Sequence, residues 1–344
     1  MIYRQRDSKA VSAWIADKRG AYTHNGETVC AGFHLYRGWV GCPAWAAGRP
    51  CSYCFLKTTF RTDEELRNGV AWVDGGLLSK ATLQKEGLER MGYAQADNAR
   101  AAVEKWLAKS AESRIEADTL LFWDEEQGRP LCVYPDLLNT SELGDGLGFS
   151  PADNPHVGML LDLFSSPDTN PHGQKVLFVT KAGLEATQAH LEGREPSENV
   201  ILSFSVGNMG ANAEPHWLPA FVPGSRLVAA ARMLQEGWRV RLRIDPLCPG
   251  HDWQADVRQY ARTIMAHFGV SKNVPELITL GTLRHRGGRV KLPTEERAGI
   301  YSSAVEGLRA GGYTGPIGLC KETPEMIRDV LGIEPDAMKC NCLP

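Results

Sequence analysis

Residues 175–206, KVLFVTKAGLEATQAHLEGREPSENVILSFSV, carry the pattern that decides the fold. An apolar run at Lys175–Thr180 precedes an amphipathic segment at 183–192, and a second apolar run follows at Asn199–Val206. Short apolar runs that alternate with amphipathic segments are typical of βαβ units and of a parallel sheet. The stretch therefore predicts a strand, a helix and a second strand that lies parallel to the first.

The same alternation continues in both directions along the chain. It predicts further strands at Thr28–Leu35, Leu131–Leu138, Arg239–Ile244 and Glu276–Leu280, and further helices at 62–73, 97–113, 156–165, 225–236 and 252–268. Six strand–helix units predict an α/β fold, a partial (β/α)6 barrel. We assign residues 1–28 to an irregular lead-in, 29–290 to the barrel, and 291–344 to a C-terminal extension with helices from 294 and near 323–331.

The composition argues against several classes of protein. The chain has 344 residues, 43% of them hydrophobic, and its net charge of −3 gives no global attraction to nucleic acid. There is no run of 18 apolar residues and no apolar signal core at the N-terminus, so we expect a cytoplasmic protein with no membrane partner. Nine cysteines in such a protein favour metal or redox chemistry over disulfides.

Three of these cysteines, Cys42, Cys51 and Cys54, have the spacing C-x8-C-x2-C. Three thiolates fit a [4Fe–4S] cluster that keeps one iron open, because a fourth cysteine would close it. The spacing alone leaves alternatives open, since zinc sites also use C-x2-C pairs. These alternatives are a zinc site completed by His34 or Cys30, and three unrelated thiols.

The residues around the cysteines are more specific. Segment 50–60, PCSYCFLKTTF, resembles the cluster loop of the spore photoproduct lyase family of radical S-adenosylmethionine (SAM) enzymes, although five more residues separate the first two cysteines here. The resemblance implies that Cys42, Cys51 and Cys54 bind a [4Fe–4S] cluster, that SAM binds its open iron, and that Tyr53 packs near the SAM adenine. It also implies that the predicted barrel is a radical SAM barrel.

Four further segments resemble the family in the same order along the chain. They are residues 139–142 (NTSE), 178–181 (FVTK), 204–206 (FSV) and 276–279 (ELIT). Catalytic groups of parallel barrels lie at the C-terminal ends of the strands. The resemblance implies that Ser141, Lys181 and Ser205 contact SAM, with Lys181 at its carboxylate. A helix-capping or surface role is the alternative for Lys181 and Ser205.

Two positions depart from the resembled lyases. In those enzymes the 5′-deoxyadenosyl radical takes a hydrogen atom from a thymine photoproduct, a C–C bond breaks, and the product radical takes a hydrogen atom from a cysteine. The cysteine position is Asn139 in this chain, and the position of a tyrosine that relays the hydrogen is Phe55, although Tyr53 is kept. Tyr53 and Asn139 are therefore the predicted catalytic residues, and the terminal hydrogen donor is missing from its family position.

A reaction that needs no external hydrogen donor fits this departure. The first hypothesis is a radical SAM isomerase of bacteriophage thymidine hypermodification, which converts Nα-glycinylthymidine into Cα-glycinylthymidine in DNA and would work in the host cytoplasm. The second is lyase-type repair of a thymine photoproduct with a relocated thiol. The third is a non-catalytic iron–sulfur or zinc-binding module.

Either enzyme would need two partners. The first is DNA, with the target base flipped out of the helix and phosphates bound by arginine clusters at Arg239–Arg243 or Arg284–Arg289, which could equally be solvated surface. The second is a reductant such as flavodoxin or ferredoxin.

The C-terminal extension holds the second concentration of thiols, Cys320, Cys340 and Cys342. They either bind an auxiliary cluster or a zinc ion, or supply a hydrogen donor. The alternative is that Cys320 is buried and that the C-terminus frays.

Overall fold

The architecture is taken from a computed structural model of the chain. The structure describes residues 15–18, 32–36, 70–73, 76–79, 91–109, 133–141, 144–207, 223–247, 253–269, 273–282 and 292–342. None of the helices in these ranges is long and apolar enough to cross a membrane.

One eight-stranded sheet organises the fold, with the spatial order β1-β2-β5-β6-β7-β8-β9-β10. Its strands are β1 (Ile15–Lys18), β2 (Gly32–Tyr36), β5 (Val133–Asn139), β6 (Lys175–Thr180), β7 (Val200–Ser205), β8 (Arg239–Leu247), β9 (Leu277–Thr282) and β10 (Ile317–Leu319). All neighbouring pairs from β2 to β10 are parallel, and β1 lies antiparallel to β2. A separate hairpin joins β3 (Val70–Val73) to β4 (Gly76–Ser79).

Seven α-helices accompany these strands in the described ranges. They are α1 (Met91–Leu107), α2 (Pro155–Ser165), α3 (Leu184–Leu191), α4 (Pro223–Gln235), α5 (Trp253–Ala266), α6 (Thr294–Ala310) and α7 (Pro324–Leu331). From β5 onward strand and helix alternate, and the six parallel strands β2 and β5–β9 curl into the predicted partial (β/α)6 barrel.

The helices cover one face of the sheet with a large apolar core. On β6 this core contains Val176 and Phe178, and the equivalent positions of the next strand are Leu202 and Phe204, all of them buried. Every residue of β7 and β9 is buried, which is typical of parallel strands covered on both faces. Helices α5 and α6 pack so closely that a Cβ at Gly307 would lie 2.3 Å from the carbonyl oxygen of Arg258.

Strand β10 is fixed to the sheet by the chain that follows it. Glu322 is fully buried there and accepts hydrogen bonds from Tyr301 (2.8 Å) and Arg297 (3.2 Å), both on α6. Helix α7 then begins after Thr323, whose side chain accepts from the backbone N–H of Met326, and ends at Gly332 in the left-handed conformation. The predicted C-terminal extension thus contributes a strand to the same sheet.

Three short elements correct the predictions from sequence. The predicted helix at 62–73 overlaps β3 at Val70–Val73, and the predicted irregular lead-in contains β1. Strand β10 was not predicted at all. Elements of three or four residues are too short to show a period, and their pairing depends on partners elsewhere in the chain. The division of the chain at 28/29 and 290/291 stays a prediction.

Candidate active site in the half-barrel interior

The inner face of the curled sheet has a different composition from its helix-covered face. Leu137, Leu177 and Ile201 form a small separate apolar cluster there, against which Val179 packs. Because side chains alternate along a strand, the positions that follow on the same face are polar: Asn139, Lys181, Ser203, Ser205, Arg241, Arg243 and Thr279. The interior is therefore polar at the C-terminal ends of the strands, and on β8 it is polar from Arg239 onward.

Lys181 and Ser205 meet at this polar end. The Nζ of Lys181 donates a hydrogen bond of 3.0 Å to the hydroxyl of Ser205, which donates in turn to the backbone carbonyl of Asp245 at 3.2 Å. The structure thus brings together two predicted SAM contacts from adjacent strands. Within the described ranges no carboxylate forms an ion pair with Lys181 at 4.0 Å or less, so its ammonium suits an anionic ligand.

A buried carboxylate that sequence reasoning missed fixes the backbone at Lys181. Asp145 accepts hydrogen bonds from the backbone N–H of Lys181 (2.7 Å), the hydroxyl of Thr180 (2.7 Å) and the N–H of Gly148 (3.1 Å). Burial raises the pKa of Asp145, and the hydrogen bonds from Lys181 and Thr180 oppose that shift. Asp145 therefore positions the strand end that carries Lys181.

Asn139 and Ser141 lie at the end of the neighbouring strand. The side-chain oxygen of Asn139 accepts from the backbone N–H of Ser141 at 3.0 Å, and the hydroxyl of Ser141 accepts from the N–H of Val179 at 3.0 Å. Asn139 is buried and Ser141 is half-buried. These contacts tie β5 to β6 beside Lys181, where the resemblance expects a SAM-binding serine.

The arginines of β8 correct a prediction. Arg241 is buried and pairs with Glu276, and Arg243 donates to the carboxylate of Asp245 at 2.5 Å. Arg239 is shared between Glu276 and the backbone carbonyl of Glu198. The Arg239–Arg243 cluster is thus neither solvated surface nor a phosphate-binding patch, because its guanidinium groups are used inside the barrel or in ion pairs. The other cluster, Arg284–Arg289, lies outside the described residues.

Glycine at one position makes room for this charge pair. A Cβ at Gly281 would lie 2.7 Å from the carboxyl carbon of Asp245 and 2.9 Å from both of its oxygens. Real Cβ atoms essentially never approach so closely, so only glycine at 281 allows the Asp245 carboxylate to lie over β9.

The C-terminal segment enters the interior instead of fraying. Asn341 is 1% exposed, and its side-chain oxygen accepts from Ser203 at 2.6 Å while its backbone carbonyl accepts from Arg241 at 3.0 Å. The sulfur of Cys342 lies 3.6 Å from the side-chain nitrogen of Asn139. The expectation of a frayed C-terminus is therefore wrong for residues 339–342.

The three thiols of the extension surround a cation. Arg243 donates to the sulfur of Cys320 at 3.8 Å. Burial alone would lower the pKa of Arg243, but Asp245 and the sulfur atoms of Cys320 and Cys342 outweigh it and raise that pKa. The pKa of Cys340 is raised well above its usual value, chiefly by a hydrogen bond with Cys342 and by burial. Among the described residues no group of His, Cys, Asp and Glu side chains is arranged to hold a metal ion, so the geometry gives no support for an auxiliary metal site at these thiols.

The remaining predicted site residues, Cys42, Cys51, Tyr53 and Cys54, lie outside the described residues, as does Phe55. Sequence reasoning missed Asp145, Asp245 and the inward course of 340–342. The alternation of charged residues in RVRLRID, residues 239–245, was an available signal, because a period of two places Arg239, Arg241, Arg243 and Asp245 on one face of a strand.

Comparison with known proteins supports the fold. No protein-family model matches the chain, and no curated protein matches it. Among solved structures, a mutant spore photoproduct lyase with dinucleoside spore photoproduct matches with a TM-score of 0.50 at 12% identity, over 81% of this chain and 73% of that chain. Streptococcus suis SuiB bound to S-adenosylmethionine matches with a TM-score of 0.39 at 11% identity, over 68% of this chain and 47% of that chain. At these identities the likeness to the lyase shows a shared fold.

Proposed function

We propose that this protein is a radical SAM enzyme that acts on a thymine-derived base in DNA. The observation that carries the proposal is the Lys181–Ser205 pair, an ammonium and a hydroxyl joined at the C-terminal ends of two parallel strands. This is the end at which ligands bind to parallel barrels. Strand β2, which forms the barrel edge, runs toward the Cys42–Cys54 segment in the sequence.

The residues of the interior suit the cofactors that the resemblance implies. Lys181 offers hydrogen-bond donors for the carboxylate of SAM, Ser205 holds its ammonium in place, and Ser141 lies at the neighbouring strand end. Cys42, Cys51 and Cys54 would hold the [4Fe–4S] cluster, which supplies the electron for cleavage of bound SAM. Tyr53, between the last two of these cysteines, would pack near the adenine.

Two reactions are candidates for the chemistry on the base. The first is the isomerisation of Nα-glycinylthymidine to Cα-glycinylthymidine, favoured by Asn139 and Phe55 at positions where the resembled lyases have a thiol and a phenol. The second is lyase-type repair of a thymine photoproduct. It is favoured by the Cys342 thiol, which lies against Asn139 and offers the relocated hydrogen donor that repair requires.

Anaerobic reconstitution with iron and sulfide tests the proposal. The protein should bind the four irons of one cluster and convert SAM to 5′-deoxyadenosine in the presence of a strong one-electron reductant. Alanine at Cys42, Cys51 or Cys54 should abolish both properties, because each change removes an iron ligand. Cys30→Ala is the matched control and should retain both, whereas a zinc site completed by Cys30 would lose its metal. Iron binding and SAM cleavage that survive in all three ligand variants would reject the assignment.

Product analysis separates the two reactions. The reconstituted enzyme is incubated with an oligonucleotide that contains Nα-glycinylthymidine and, separately, with dinucleoside spore photoproduct. An isomerase gives a product of unchanged mass from the first probe, since only the attachment of the glycyl group changes. A lyase gives two thymines from the second. SAM cleavage without change to either probe would reject the thymine-derived substrate.

A further inference from the structure

The C-terminal segment places one thiol at the position where the polar interior begins. The sulfur of Cys342 lies 3.6 Å from the side-chain nitrogen of Asn139, which ends β5, and both are part of the face that carries Lys181 and Ser205. We infer that Cys342 is a catalytic residue that donates a hydrogen atom to the substrate-derived radical. The inference rests on the proposed function and adds a residue to it.

The segment that leads to this thiol is anchored at two points. The backbone of Lys339 lies so close to β10 that a Cβ at Gly318 would clash with its carbonyl oxygen. Asn341 then bridges Ser203 on β7 and Arg241 on β8. These contacts hold residue 342 across the strand ends, from β10 on one side of the half-barrel to β5 on the other, as a catalytic thiol requires.

The two neighbouring thiols differ from Cys342 in their surroundings. Cys340 packs against the large core between sheet and helices, and its thiol also forms a hydrogen bond with Cys342. Cys320 accepts from Arg243, on the side of the barrel formed by β8 and β10. Among the hydrogen bonds described for these three thiols, the one that reaches β5 joins the Asn139 amide to the sulfur of Cys342, which accepts it.

The chemistry of the Cys342 thiol and the Asn139 amide explains why the thiol is the hydrogen donor. An S–H bond is, with the O–H bond of tyrosine, among the weakest bonds to hydrogen that a protein side chain offers, and a carbon or nitrogen radical can break it, whereas the N–H bonds of an amide are too strong. The S–H bond of Cys342 breaks homolytically, its hydrogen atom forms the new bond of the product, and a thiyl radical remains. One electron from the one-electron reductant that the cluster needs and one proton from water then restore the thiol. In the isomerisation, this donation replaces the return of hydrogen from 5′-deoxyadenosine.

Solvent labelling tests the inference, because thiol hydrogens exchange with water. Turnover of dinucleoside spore photoproduct in D₂O should give a product that carries one deuterium atom on carbon. The isomerisation places its new hydrogen on an amine that exchanges with water, so the readout for the glycinylthymidine probe is one 5′-deoxyadenosine released for each product. Cys342→Ser should lose this deuterium and form product about tenfold more slowly or worse, as expected for loss of a group that acts in the transition state. Its SAM cleavage should continue, since the thiol acts after that step, and abortive products should accumulate. Cys30→Ala, which removes a thiol outside the C-terminal extension, is the control and should keep the label.

The possible failures are distinguishable. If the unmodified protein does not cleave SAM, the proposed function fails. If the photoproduct is repaired without solvent deuterium, if Cys342→Ser retains the label, or if isomerisation proceeds without release of 5′-deoxyadenosine, the inference fails and the proposed function stands.

A second measurement needs no cluster. In the native apoprotein, iodoacetamide should alkylate Cys342 faster than Cys340, as peptide mass analysis would report, because Cys340 packs against the core and its raised pKa keeps it protonated. Dinucleoside spore photoproduct should slow that reaction. Equal rates at both cysteines would overturn the placement, and the circular dichroism of Cys342→Ser would show whether that variant folds.

Discussion

At the scale of single residues, the interior depends on one ammonium without a described carboxylate partner. Lys181 reaches Ser205 at 3.0 Å and is placed by the hydrogen bond between its own backbone N–H and Asp145. Lys181→Ala should weaken SAM binding by about 1.5–3 kcal/mol, the range for hydrogen bonds to charged groups. Titration calorimetry with the reconstituted protein measures this loss.

Lys175 offers the matched control for that experiment. It lies on the same strand but at the opposite end, where its Nζ donates to the side chain of Asn199 at 2.6 Å. Lys175→Ala should leave SAM affinity unchanged. Equal losses in the two variants would mean that Lys181 acts through general charge or stability and not through contact with SAM.

A buried histidine gives the protein a specific acid sensitivity. His156 is 1% exposed, and its Nδ1 lies 2.5 Å from the hydroxyl of Tyr36. Burial lowers the pKa of His156 to about 4. Between about pH 6.5 and pH 4 the unfolded chain therefore binds a proton at this residue that the folded protein does not, so stability falls as the pH falls.

The loss attributable to His156 should reach about 3 kcal/mol below pH 4, at about 1.4 kcal/mol for each pH unit between the two pKa values. Urea unfolding of the apoprotein across this range measures it. His156→Gln should flatten the pH dependence by about one proton, and His172→Gln, at an exposed site, should not. An unchanged slope in His156→Gln would show that other groups cause the acid sensitivity.

At the scale of elements, the long strands were predictable and the C-terminal segment was not. Lys175–Thr180 is predicted with the same bounds that the structure shows. Its four central residues, 176–179, are all apolar, and such an uninterrupted run is typical of a parallel strand covered on both faces. The course of residues 339–342 depends on Gly318, Ser203 and Arg241, which lie 20 to 140 residues away in sequence. No local pattern records such contacts, so the sequence alone favours a frayed C-terminus.

The C-terminal segment packs so closely against β10 that a single added methyl group at Gly318 should disturb the contact. Gly318→Ala places a Cβ against the carbonyl oxygen of Lys339, where a backbone atom and not a flexible side chain must give way. The variant should lose about 1–3 kcal/mol of stability, the usual cost of overpacking, and Cys342 should become more reactive toward iodoacetamide.

Gly224, in the first turn of α4, is the control for this change. A Cβ there would meet nothing within 4 Å, so Gly224→Ala should be neutral or slightly stabilising. Unaltered stability and thiol reactivity in Gly318→Ala would mean that the segment does not lie against β10.

At the scale of the whole molecule, the near-neutral chain must bind a polyanion if its substrate is DNA. The net charge of −3 provides no general attraction, and the structure removes one of the two arginine clusters from consideration. Arg241 and Arg243 are committed to Glu276 and Asp245 within the half-barrel. The cluster Arg284, Arg286 and Arg289, which follows β9 in the sequence, remains the predicted phosphate-binding group.

Salt dependence of DNA binding therefore tests where the phosphates lie. The logarithm of the association constant should fall linearly with the logarithm of salt concentration, by about 0.9 for each duplex phosphate neutralised. Arg286→Ala should reduce this slope by about one and weaken binding to all sequences equally. Arg239→Ala also removes one positive charge, but Arg239 is already paired with Glu276 and the Glu198 carbonyl. The slope of this variant should therefore match that of the unmodified protein.

Fluorescence anisotropy with a labelled duplex gives both slopes. The salt concentration is varied between about 50 and 200 mM, because salt strongly weakens binding that depends on phosphate contacts over this range. A slope near zero in the unmodified protein would point to a nucleoside or dinucleotide as the substrate, because such a ligand releases few counterions when it binds.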